Sequence, residues 1–231
     1  MFKSQRKFYE LPLSERLELI AAEAGITSDE LTVLDGVHGL TPKQADHMIE
    51  NAVGVYGLPL GVARNFLVNG REVLVPMAIE EPSVVAAVSF MAKLARAGGG
   101  FTTEATAPEM IGQLQLLDLP DPAAAKAALQ AHREELLALA GSVDPVLSRF
   151  GGGARDIEIR EITESPIGPF LVLHLIYDVR DAMGANAINT ALEQLAPRVA
   201  EISGGRPHLR ILSNLADRRL ARAKCTIPLS A

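Results

Sequence analysis

Ten residues, Phe170-Leu171-Val172-Leu173-His174-Leu175-Ile176-Tyr177-Asp178-Val179, constrain this chain most, because they read as an apolar strand that must be buried. Arg180 and then six residues, Asp181-Ala182-Met183-Gly184-Ala185-Asn186, lie between that strand and a helix predicted over 187–202. A small-residue turn between strand and helix exposes unpaired backbone N–H groups at the positive end of a helix dipole, a good place to hold a phosphate or pyrophosphate. The spacing is not G-x-G-x-x-G, so the common dinucleotide fingerprint does not apply.

From about residue 107 the pattern runs strand (110–118), helix (122–139), short helix (144–150), strand (156–163), strand (170–179), helix (187–202) and strand (208–212). That is the split, ferredoxin-like β-α-β-β-α-β arrangement, with Gly151-Gly152-Gly153 and Ser203-Gly204-Gly205 at its joints. Ahead of it, 13–24 shows helical periodicity, with Leu17, Ile20 and Ala21 set against Glu15, Arg16 and Glu18. Thr27 and Thr41-Pro42 begin two further short helices, and 66–75 is a hairpin about an Asn69-Gly70 type I′ turn. A helix over 83–97 has Pro82 at its start and Gly98-Gly99-Gly100 as its stop. It is apolar nearly all round, which predicts a central helix buried on most faces.

The fold class is therefore α+β. Residues 1–106 form the helical and hairpin part of a large domain around the central helix, 107–216 a small ferredoxin-like cofactor domain, and 217–231 a return into the large domain. The basic stretch 217–224 reads as a solvated helix face and 225–231 as the start of a further strand. So little chain around a buried helix implies that part of its covering material is missing.

At 231 residues and 48% apolar composition the chain can bury a substantial core, while a net charge of −6 argues against coating nucleic acid. No apolar run reaches membrane-spanning length, and the start, Met1-Phe2-Lys3-Ser4-Gln5-Arg6-Lys7-Phe8, lacks the core of a signal peptide. The single cysteine, Cys225, excludes an internal disulfide and fits a reducing compartment, so the sequence reads as cytoplasmic. His38, His47, His132, His174 and His208 are scattered without metal-ligand spacing. Neither a G-x-S-x-G elbow nor a P-loop is present.

Several motifs occur in one order: Ile49-Glu50-Asn51-Ala52-Val53-Gly54, then Val75-Pro76-Met77-Ala78-Ile79-Glu80-Glu81-Pro82-Ser83, then Gly98-Gly99-Gly100-Phe101-Thr102-Thr103. The 181–186 turn and Ile211-Leu212-Ser213-Asn214-Leu215-Ala216-Asp217 follow. Together they resemble 3-hydroxy-3-methylglutaryl-CoA (HMG-CoA) reductase of the class II, bacterial, degradative type. The resemblance spans essentially the whole chain and corresponds to roughly the first half of a family member. It implies two-step, four-electron interconversion of HMG-CoA and mevalonate, with two nicotinamide cofactors and release of coenzyme A.

By the same resemblance Glu81 is the catalytic glutamate, donating a proton or pairing with a lysine while a carbonyl receives hydride. A carboxyl in a dry pocket favours its neutral form, which suits that role near neutral pH. Ser83 is implied to contact the HMG moiety and Asn214 to lie near nicotinamide and substrate, with Glu50 architectural. The residues by themselves allow plainer roles: Glu80 and Glu81 favouring a helix N-terminus, Ser83 capping it, and Asn214 sitting in a turn. Asp181, Met183, Gly184, Ala185 and Asn186 match the family's cofactor motif, and Asp144 matches the acidic residue on the adenosine ribose. A carboxylate there accepts from a 2′-hydroxyl and repels a 2′-phosphate, so NADH is implied over NADPH. Asp144 reads equally well as an N-cap before Pro145. The family's catalytic lysine, aspartate and flap histidine lie beyond the equivalent of Ala231, and its sites are shared across a homodimer or higher homo-oligomer. Little turnover is therefore expected of this polypeptide alone, and a second reading is a non-catalytic nucleotide-binding or dimerising protein.

Overall fold

A computed structural model of the chain describes residues 6–34 and 39–231; the N-terminal stretch through Gln5, and His38, lie outside the described residues. The chain divides into two compact units, Met1–Thr102 with Lys224–Ala231, and Thr103–Ala223.

The first unit begins with α1 (Leu13–Ala24), which stops at a left-handed Gly25. Two short helices follow, α2 (Ser28–Leu31) and α3 (Pro42–Asp46). Each opens with a capping box: the N–H groups of Thr27 and Thr41 donate to the side chains of Glu30 and Gln44, 2.8 and 2.9 Å away. Strands β1 (Leu60–Val68) and β2 (Arg71–Ala78) pair antiparallel through Asn69 and Gly70, both at positive φ, as a type I′ turn requires.

Helix α4 (Val84–Ala97) lies on β1. A register shift between Ala63 and Phe66 leaves the Arg64 N–H free to donate to Ser89 Oγ at 3.1 Å, and Asn65 Nδ2 donates to Ser89 O at 3.0 Å. Ala63, Ala92 and Ala95 are buried in this contact. The expectation of a helix buried on most faces is not met: Phe90 is 58% and Met91 50% exposed. Apolar residues all round a helix permit burial on every side, but a single sheet covers only the face laid against it.

Strand β3 (Phe101–Ala105) runs from the first unit into the second, which continues with β4 (Glu109–Leu117), α5 (Pro122–Ala131), α6 (Arg133–Gly141), α7 (Pro145–Arg149), β5 (Gly153–Ile162), β6 (Phe170–Asp178), α8 (Ala185–Ser203) and β7 (Arg206–Leu212). Its sheet has the order β5-β6-β4-β7, with every neighbouring pair antiparallel. Strands joined through helices are thus separated by one intervening strand, which is what splits the crossovers. β6 is central, and alternate residues Leu171, Leu173, Leu175, Tyr177 and Val179 meet the helices in one core with Leu114, Leu129, Leu136, Ile188, Leu192 and Leu195. At Gly112 a Cβ would stand 2.6 Å from Ile188 Cγ2, so glycine is what lets α8 lie directly on β4.

Where one helix is expected over 122–139, two form. They join at His132 (φ −97°, ψ 14°), whose Nδ1 lies 2.8 Å from the Ala128 carbonyl and closes off α5. The final strand, β8 (Ala221–Cys225), lies within the basic stretch rather than after it, because Ala221-Arg222-Ala223-Lys224-Cys225 alternates small and cationic residues. It neighbours β3 in a sheet of order β2-β1-β3-β8. Thr106 stitches the two ends of the second unit together. Its N–H donates to Leu220 O at 3.0 Å, and its hydroxyl donates to Arg218 O at 2.6 Å while accepting the Leu220 N–H at 2.9 Å.

Candidate functional site

The turn after β6 is fixed from both sides. Asp178, buried at the strand's end, accepts the Arg180 N–H at 3.0 Å and an Arg155 guanidinium N–H at 2.9 Å. Burial pushes its carboxyl up, but the bonds from Arg155 and the Arg180 backbone, with both guanidinium charges, outweigh that and hold it below the ordinary aspartate value. Arg155 and Arg180 also both reach the Gly151 carbonyl, which ties the turn to the loop before β5. Arg180 itself is left-handed at φ 50°, and Gly184, the N-cap of α8, follows at φ 90°. A Cβ on Gly184 would meet Val179 Cγ1 at 2.5 Å and Met110 Sδ at 3.0 Å, so both backbone conformation and space demand glycine.

Among the described residues no side chain caps α8, so the N–H groups of its first turn, at Ala185 and Asn186, have no side-chain acceptor there. Nineteen residues of helix stand behind them, and the dipole favours an anion. Met183 (74% exposed), Asp181 and Asn186 stand in solvent around this N-terminus. Beside it lies an open depression lined by Leu147 and Phe150 of α7 and by Val179, Arg180, Asp181 and Ala182. One wall is apolar and the other carries the turn, which suits a flat aromatic group joined to phosphates. Asp144 caps α7, accepting the Leu147 N–H on Oδ1 at 2.8 Å. The capping role read from its sequence position is therefore real, and the turn and the Asp144 helix border one depression.

Sequence reasoning missed Arg219. It lies past β7 in the stretch read as a solvated helix face, yet its guanidinium donates to Ala182 O (3.3 Å) and Arg180 O (3.4 Å). The positive charge thus sits on the back of the turn, where spacing along the chain gives no hint of it. Asn214 is exposed just after β7, beside a well-anchored Ser213. The Ser213 N–H donates to Ile111 O at 2.8 Å, and its hydroxyl accepts from Gln113 Nε2 and from the Leu215 N–H, both at 3.1 Å.

Glu81 and Ser83 belong to the first unit. Glu81 is exposed, so the dry pocket expected around its carboxyl is not supplied by its neighbours in this structure. Helix α4 starts one residue later than expected. Pro82 stands outside it, and Ser83 occupies the N-cap with φ 71° and no capping hydrogen bond. A serine held left-handed without the compensation of a cap costs about 1–2 kcal/mol, the kind of local strain that gathers at binding sites. Among the described residues no three His, Cys, Asp or Glu side chains gather as metal ligands. No helix among them is long and apolar enough to cross a membrane.

The sequence profile of hydroxymethylglutaryl-coenzyme A reductase matches residues 12–231. The 3-hydroxy-3-methylglutaryl-coenzyme A reductase of Archaeoglobus fulgidus is 50% identical over 217 residues, covering 94% of this chain and 49% of that protein. The solved class II enzyme of Streptococcus pneumoniae, bound to NADPH in open conformations, superposes with a TM-score of 0.90 at 39% identity, over 97% of this chain and 60% of that one. The chain spans about half the length of the curated relative it matches.

Proposed function

This chain belongs to the hydroxymethylglutaryl-coenzyme A reductase family, and we propose that it serves the interconversion of HMG-CoA with mevalonate and coenzyme A at the expense of two nicotinamide dinucleotides. The observation that carries this is the turn at Gly184, where only glycine fits and an uncapped long helix begins beside an apolar depression. Residues 107–216 are then the dinucleotide domain, and 1–106 and 217–231 belong to the substrate domain.

Within the dinucleotide domain, the first-turn N–H groups at Ala185 and Asn186 would hold the diphosphate, with Asp181, Met183 and Gly184 shaping its approach. The cofactor, when bound, supplies hydride. Glu81 would donate the proton that the reduced carbonyl oxygen requires, and Ser83 and Asn214 would orient the acyl group. Asp144 would accept from the ribose hydroxyls; its negative charge favours NADH, against the NADPH of the streptococcal neighbour. A cytoplasmic homo-oligomer completes the reading, and the exposed Phe90 and Met91 on α4 are the surface we would expect it to use.

Calorimetric titration of the 231-residue chain with NADH and NADPH tests the cofactor reading. We expect saturable binding with NADH tighter, and a D144N variant that narrows the preference. Absence of binding to either dinucleotide would overturn the reading. A coupled assay with mevalonate, coenzyme A and NAD⁺ should show little NADH production by this polypeptide alone, and clear turnover would overturn that expectation. Co-expression with an intact homologue, followed by size-exclusion chromatography and the same assay, then separates this reading from the second, a nucleotide-binding or dimerising protein.

A further inference from the structure

Tyr177 is fully buried on the helix face of β6, and among the described residues its hydroxyl meets no hydrogen-bond partner. Buried phenols are ordinarily paired, because an unmade bond leaves the desolvation of the hydroxyl uncompensated. A phenylalanine would fill the same space without that cost. The ring shares its core with Leu147 and Val179, and Val143 packs against the same cluster. Leu147 and Val179 also line the depression at the turn, while Val143 and Leu147 bracket Asp144 in the chain. The phenol therefore lies behind the wall of the depression, close to the helix that Asp144 caps. Burial, and after it the negative charge of Asp144, raises the phenol above its ordinary value, so its proton stays on oxygen near neutral pH.

We infer that Tyr177 is a positioning residue for Asp144: when a dinucleotide binds, its hydroxyl donates to the Asp144 carboxylate and fixes that group on the adenosine ribose. This rests on the dinucleotide reading above. Asp144 Oδ1 already accepts the Leu147 N–H. A second donor from beneath would lock the carboxylate in the one orientation that leaves its remaining lone pairs to the ribose hydroxyls.

Calorimetric titration with NADH of the parent chain, Y177F, D144N and the double variant, with thermal melts of each ligand-free protein, tests the inference. Y177F should weaken NADH about tenfold while its ligand-free melting temperature holds or rises, since a bond to a charged group is lost only in the bound state. The double variant should bind no more weakly than D144N alone, because the hydroxyl acts through the carboxylate. Y177F binding within about twofold of the parent, or losses that add in the double variant, overturns the inference. So does a Y177F chain that melts lower and binds less in both backgrounds, which marks a packing role. A parent that binds NADH beside an unaffected Y177F sinks this inference alone, whereas a parent that binds no dinucleotide sinks the cofactor reading with it.

Discussion

The two units dispose of their apolar residues in opposite ways. In Thr103–Ala223 a single core takes in the inner face of the sheet and helices α5, α6 and α8, with Leu114, Leu129, Leu136, Leu173, Leu192 and Leu195 wholly buried. In the unit of Met1–Thr102 and Lys224–Ala231 the buried apolar residues among those described are few and mostly small: Leu11, Ile20, Ala45, Ala63, Ala92 and Ala95. Its larger ones, such as Val53, Tyr56, Phe90 and Met91, face outward. At about 25 cal/mol per Å² of apolar surface removed from water, a buried leucine contributes about 1.5–3 kcal/mol and an alanine far less. The Gly184 turn is thus mounted on the well-cored unit, and Glu81 and Ser83 on the thinly cored one.

The largest expected effect tests that contrast directly. Leu173→Ala should cost about 2–5 kcal/mol in urea denaturation followed by circular dichroism, and Phe90→Ala no more than about 0.5. Equal costs would break the comparison. Gly184→Ala comes next: the Cβ clash and the positive φ together should cost about 1–3 kcal/mol and weaken dinucleotide binding more than they weaken the fold. Unchanged NADH affinity in that variant would remove the turn from the site.

The second unit should also show a pH dependence that traces to His174. Burial lowers its proton affinity first, with the Arg160 charge adding to that; Glu158 and Asp217 oppose it and Arg218 reinforces it. A histidine held below its ordinary value is protonated more readily in the unfolded chain. Stability is therefore full above about pH 6.5 and falls as the pH drops through that value. His174→Gln should flatten the midpoint difference between pH 7.5 and 5.5; an undiminished slope would point elsewhere. Smallest is Ser83→Gly, which relieves a left-handed serine and should leave stability within about 0.5 kcal/mol of the parent or raise it.

What could be read from the sequence is what local chemistry decides. The bounds of α1, the caps at Thr27, Thr41 and Asp144, the Asn69–Gly70 turn and the glycine at 184 each follow from a few adjacent residues. Misreadings arose where a distant partner decides. An all-round apolar pattern cannot say how many neighbours a helix has, so α4 was expected to be covered where it lies open. Nor can a Glu-Pro-Ser string say whether its carboxyl is wet or dry. Arg219 and Tyr177 escaped notice for the same reason: the partners of Arg219 lie 37 and 39 residues away in the chain, and the unpaired hydroxyl of Tyr177 is set by the packing around it rather than by its neighbours in sequence. The break at His132 is local, but it needs the backbone angles to be seen.

The stitch at Thr106 has an evolutionary corollary. The second unit leaves and rejoins the rest of the chain through β3 and β8, neighbouring strands of one sheet, with a single threonine bonding across its two ends. A segment whose termini emerge side by side is a cassette: it can be spliced into a host loop, or have its ends fused and be reopened elsewhere, without stretching its fold. The second unit of this protein has the anatomy of a portable insert.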